Sequence, residues 1–184
     1  MSPKRPRPGP AEATETARRF LAGLVRGADL DDLALDGYGS HPKNNTFPGE
    51  VYLHLAADAL RLTGAGADPE QRIAQDGLLA RHLPEAAFKG RESSRIRFAF
   101  LAAAATAGGL EVDLLDEVTW WATDDYWHYA LCAAVALIRA GAERLDIPVA
   151  ALAKTIAAER GINLEVDTGE RTDASPPSNI RPLR

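Results

Sequence analysis

The sequence predicts an all-α fold, a single compact bundle or orthogonal array of about six or seven helices between disordered ends. Three observations predict it. Apolar residues recur at helical spacing in segment after segment, and no strand pair or fixed-period repeat is found. Turn formers and caps punctuate those segments at helix-like lengths. The 184 residues are 46% apolar and 26% charged, an ordinary soluble composition. A chain of that size buries roughly 70% of its unfolded surface and needs no disulfide or metal staple.

The elements follow in order. Met1 to Pro10 is Pro-rich, basic and without apolar anchors, hence a disordered tail. A first helix is expected over Ala11 to Arg26, with Ala17, Phe20, Leu21, Leu24 and Val25 on one face and Gly27 as its stop. Asp29 to Leu33 suits one short helical turn. Asp36 to Thr46 is a loop rich in turn formers: Gly37, Gly39, Pro42, Asn44. Phe47 to Leu62 reads as an amphipathic helix broken by Gly64-Ala65-Gly66. Asp68-Pro69-Glu70-Gln71 has the pattern of a helix start, and that helix should stop near His82, before Pro84. Glu92 to Ala107 is an Ala-rich helix closed by Gly108-Gly109. From Asp113 to Arg144 a break near Asp124, acting as an N-cap, is favoured over one continuous helix. Pro148 opens a last helix, Val149 to Arg160, which Gly161 ends. Ile162 to Arg184 reads as a disordered tail, which places the domain at residues 11–161.

The stretch Asp113 to Arg144 holds all three Trp, the single Cys and five acids in its first half. Around the helix from Tyr126, Trp127, Leu131, Ala134 and Ile138 line one face, while Tyr126, Tyr129, Ala133, Leu137 and Ala140 cover most of the opposite side. Only a narrow strip stays polar: Asp125, His128, Arg139 and Glu143, with Cys132 and Val135 between. A helix apolar nearly all round is buried, so this one should be the axis of the domain.

Candidate sites are of three kinds. Glu117, Asp124 and His128 are the candidate catalytic groups. They align as a carboxylate–imidazole stripe if the helix is continuous, and the stripe dissolves if Asp124 caps backbone N–H groups. His128 also sits one turn from Cys132, a spacing that suits a metal or an activated thiolate as well as plain core packing. Glu50, His54 and Asp58 repeat every fourth residue, as in metal-binding bundle helices. Arg61 shares their face, however, and the apolar side is the opposite one, which favours a solvated face with local ion pairs. Lys89, Arg91, Arg95 and Arg97 form the basic cluster of the folded body. Near a helix N-terminus such a group suits an anion or acidic partner, or else pairing with the acidic segment of the chain itself. Lys43, ahead of a helix start, joins the anion-binding candidates.

Composition bounds the function. A net charge of −5, with three cations in the first ten residues, leaves −8 on the rest, which makes nucleic acid an unfavourable partner. One Cys excludes a disulfide framework. The opening MSPKRPRPGP leads into no apolar signal segment, and no run suits a membrane span, so a cytoplasmic location is expected. Phosphate-loop, dinucleotide, nucleophile-elbow and HExxH patterns are absent, and no cofactor is expected. The reading these observations favour is a non-enzymatic interaction or regulatory module with a protein partner, bound through the Arg91–Arg97 cluster and the loop Gly37–Thr46. A small helical enzyme or ligand-binding domain with a carboxylate/histidine pocket is the alternative, followed by weak nucleic-acid association.

Overall fold

A computed structural model describes residues 9–34, 49–64, 81–82, 92–109 and 126–165, with backbone only at 92–95, 97, 126 and 127. Every regular element among them is helical. The helices are α1 (Pro10–Val25), α2 (Gly49–Thr63), α3 (Glu92–Ala107), α4 (Tyr126–Arg144) and α5 (Val149–Glu159), with a short helix at 30–34. No helix among the described residues is long and apolar enough to cross a membrane.

The ends follow from local chemistry. Pro10 occupies the first turn of α1, where its missing N–H removes no helical bond. The short helix at 30–34 starts on Asp29, whose Oδ1 accepts the backbone N–H of Asp32 at 2.8 Å. Three helices close in the same way. After α1, Gly27 takes a φ of 77° and donates to the Leu24 carbonyl, while Ala28 donates to Gly23. Gly161 does the same after α5, with Ile162 donating to Ala157 at 2.8 Å. After α4 the left-handed position is held by Asp146, at φ 53°, and Ile147 donates to Ala142 at 3.0 Å. This double-bonded closure satisfies carbonyls that a helix end leaves orphaned, and it ordinarily selects Gly.

Among the described helices the most extensive contact is α2 against α4, and α3 packs on both. α4 is the axis that its composition predicts: Ala130 to Ala136 have no exposed surface, Cys132 and Val135 included. α1 finds its most extensive partner in α5 and also reaches α2, where Phe20 and Tyr52 pack with ring centroids 5.3 Å apart. Each large aliphatic side chain so enclosed contributes about 1.5–3 kcal/mol by leaving water. Small residues set the spacing. At Gly141 of α4 a Cβ would stand 2.5 Å from Thr63 Cγ2 and 3.2 Å from Leu152 Cδ2, so α2, α4 and α5 converge on a position with no side chain.

Packing continues past Gly161. Ile162 and Leu164 lie against the core, so the folded body extends beyond the boundary that the polar composition after Gly161 suggested. Two apolar residues among polar ones suffice, because the closure at Gly161 turns the chain back onto the helices. The choice between one and two helices over Asp113–Arg144 turns on Asp124, which lies outside the described residues. The helix expected to end near His82 is described only at 81–82, which are helical.

Candidate functional site

The polar face of α2 carries Glu50, His54, Asp58 and Arg61 at one-turn spacing. Asp58 is largely enclosed, its side chain only 12% exposed, and it is engaged from two sides. Arg61, one turn later, bonds Oδ1, while Arg160, the residue that ends α5, donates Nε–H to Oδ2. A carboxylate held between two guanidiniums is a structural junction. It engages the second of the two carboxylates in the Glu50/His54/Asp58 spacing, and no group of three His, Cys, Asp or Glu suited to a metal ion occurs among the described residues. Arg61 thus supplies the local ion pair that its place on this face predicts.

The same face borders an open groove of about 230 Å³ between α1, α2 and the end of α5. Ala13, Ala17, Val51 and Ile162 give it an apolar floor, and Thr14, Glu50, His54 and Arg160 give it a polar rim. The Thr14 hydroxyl donates to the Pro10 carbonyl at 2.9 Å. His54 keeps an exposed edge, yet its pKa lies below the ordinary imidazole value. Protein packed around the rest of the ring is the main cause, and Arg160 and Arg61 add to it against the opposing pull of Asp58. At neutral pH the ring is therefore uncharged.

The polar strip of α4 has a different use. Arg139 donates to the His82 carbonyl at 3.0 Å. Glu143 accepts Arg81 at 2.5 Å and pairs with His82 Nε2 at 3.0 Å. The strip is thus a clasp for the residues at 81–82, built across 57 positions of sequence. His82 also has a lowered pKa: burial is the largest cause, Glu143 opposes it, and Arg81 and Arg139 reinforce it. Nearer the start of α4, His128 Nε2 lies 3.7 Å from Cys132 Sγ. The thiol has no exposed surface, unlike the partly exposed setting of reactive cysteines, and the contact is one of core packing at the strip's edge. His128 is half-buried and does not line the groove that His54 and Glu50 share.

Of the other predicted residues, Arg95 and Arg97 belong to the first two turns of α3. Two residues apart, they stand about 160° apart around the helix axis. Position 97 falls within about 40° of Leu101, the most exposed large apolar side chain described, at 48%. Position 95 falls beside buried Ala102. The helix therefore does not gather Arg95 and Arg97 on one face. Lys43, Lys89, Arg91, Glu117, Asp124 and the loop Gly37–Thr46 lie outside the described residues.

Sequence reasoning missed Arg160, Arg81 and His82 as partners. Arg160 reads there only as the end of a helix, and nothing local announces a carboxylate 102 residues away. No protein-family profile, curated protein or solved structure matches the chain.

Proposed function

We propose that the chain is a non-enzymatic helical interaction module that binds an acidic or anionic protein partner. The observation that carries this reading is the outer face of α3, where Leu101 is exposed and Phe98, Ala104 and Ala105 are half-buried. Arg97 stands in the same sector, with Arg91 and Lys89 just before the helix. An exposed apolar patch on a helix whose sequence carries Arg matches the composition of a protein interface, where aromatic residues and Arg are enriched. Three of the described polar groups have structural roles that fit it: Asp58 and Glu143 are engaged in ion pairs, and His128 abuts a buried thiol.

Two variants test it by pull-down from the native host, with helicity checked by circular dichroism: Leu101→Asp, and Arg91→Ala with Arg95→Ala and Arg97→Ala. Both should lose a partner that the wild-type chain retains. A partner retained equally by folded variants of both kinds would sink the proposal.

A second reading, a ligand-binding domain with a carboxylate/histidine pocket, draws support from the groove at Glu50 and His54. It places the pocket on α2 rather than at His128.

A further inference from the structure

Two charged side chains line the groove between α1, α2 and the end of α5, and both already have partners. Arg160 donates its Nε–H to Asp58, and Glu50 is engaged within the chain. A carboxylate entering the groove would meet Glu50 and would share Arg160 with Asp58. An ammonium would meet Arg160 and would share Glu50 with its existing partner. Arg61 leaves one cation in excess around Asp58, but it does not line the groove. Thr14 uses its proton on the Pro10 carbonyl. The polar group left over is His54. No hydrogen bond from the described residues reaches its ring, which feels only burial and the charges of Arg160, Asp58 and Arg61.

We propose that this groove binds a small uncharged aliphatic carboxamide, its amide head between His54 and Arg160 and its branched tail on Ala13, Ala17, Val51 and Ile162. The proposal rests on the ligand-binding reading and is independent of the α3 surface.

Three features select that class. The first is the head. An uncharged imidazole offers one N–H and one acceptor nitrogen, and at neutral pH His54 is in that form. The Arg160 guanidinium keeps N–H groups on its terminal nitrogens, beyond the Nε–H that Asp58 takes. A carboxamide answers both, because its NH₂ donates and its carbonyl oxygen accepts. An alcohol would have to serve both with one oxygen. The second feature is the floor. Ala13 and Ala17 stand one turn apart on α1 and leave room that longer side chains would fill. Val51 of α2 and Ile162 beyond α5 complete the apolar lining, where a branched aliphatic tail gains by leaving water. The third feature is size. The groove holds about 230 Å³. An apolar cavity of about 150 Å³ takes benzene, so this one suits a ligand of about seven to nine non-hydrogen atoms.

The test is a titration of the ¹⁵N-labelled full chain followed by NMR. The probes share one branched skeleton and differ in charge: isovaleramide, isovalerate and isoamylamine. Isovaleramide should give saturable shifts at Ala13, Thr14, Val51, His54 and Ile162, and each charged probe should bind at least about fivefold more weakly. His54→Phe keeps a ring in place and removes both nitrogens, and it should weaken isovaleramide by at least about threefold. Ala13→Leu fills the floor and should abolish saturable binding of every probe, with helicity unchanged by circular dichroism. A charged probe that matches isovaleramide would overturn the uncharged head while leaving a binding groove. Unchanged isovaleramide affinity in folded His54→Phe would overturn the contact with His54, and in folded Ala13→Leu it would put the ligand outside the groove. No saturable shift from any probe would overturn the groove reading and the assignment together.

Discussion

Thr63 of α2 packs directly against the backbone of Gly141 in α4, its Cγ2 standing 2.5 Å from where a Cβ at position 141 would lie. Thr63 cannot turn aside cheaply, because its hydroxyl donates to the Ala59 carbonyl at 2.7 Å inside the core. Gly141→Ala gains about 1 kcal/mol of helix propensity but forces α2 and α4 apart, and overpacking of this kind costs about 1–3 kcal/mol or more. The net effect should be a loss of stability in urea unfolding. Adding Thr63→Ser, which deletes Cγ2, should recover part of it; a double variant no more stable than Gly141→Ala would refute the contact as the cause. Gly23→Ala meets only the flexible end of Leu33 at 2.5 Å and should cost less.

The two partners of Asp58 should differ in weight. Arg61 is a neighbour on the same helix and half exposed, so Arg61→Ala should cost under about 1 kcal/mol. Asp58→Asn leaves two guanidiniums facing an amide at a largely enclosed site and should cost about 2 kcal/mol. Equal losses for the two variants in urea titrations would show that the junction with α5 contributes nothing.

Asp146 holds a left-handed conformation that Gly27 and Gly161, at the equivalent positions after α1 and α5, reach without a Cβ. Asp146→Gly relieves about 1 kcal/mol of backbone strain, partly offset by the freedom Gly adds to the unfolded chain. A melting temperature that rises by a few degrees is expected. A fall would mean that the Asp side chain contributes more than its backbone costs.

The clasp at His82 predicts a pH dependence. The folded-state pKa of His82 lies below the ordinary value near 6.5, so the unfolded chain binds the proton more readily. The stability this contributes is present above about pH 6.5 and is lost as pH falls through the folded pKa. Glu143 pulls the other way, and Arg81 and Arg139 push with burial. The urea midpoint should therefore fall between about pH 7.5 and about pH 5.5, less steeply in His82→Asn. His54, lowered for related reasons, contributes to the same slope. An NMR titration that puts His82 above 6.5 would reverse the sign.

Much of the fold was legible where a pattern is local. Glu92–Ala107 matches the expected helix at both ends, and Gly27 and Gly161 close α1 and α5 as their positions suggest. The buried axis could be read from α4 because burial on all sides leaves a compositional mark. What was not legible is long-range. Asp146 has no Gly to advertise a left-handed residue. Arg139 and Glu143 read only as part of a narrow polar strip until residues 81–82 are laid along them. The groove escaped notice because its walls come from three helices whose lining residues, taken singly, are ordinary surface and core. The Glu50–His54–Asp58 spacing was visible from the start, but its meaning depends on Arg160.

The pairing of α1 with α5 has a consequence for how the chain is made. Of the described helices, α1 is made well before α5, its most extensive partner, so the side of α1 that meets α5 stays uncovered until residues 149–159 are made. α2, α3 and α4 can assemble meanwhile, since their most extensive contacts are with one another. Synthesis at about 5–20 residues per second leaves α1 incompletely covered for several seconds or more. During that interval a nascent chain is open to aggregation or to chaperone capture, and the docking of α5 ends that exposure.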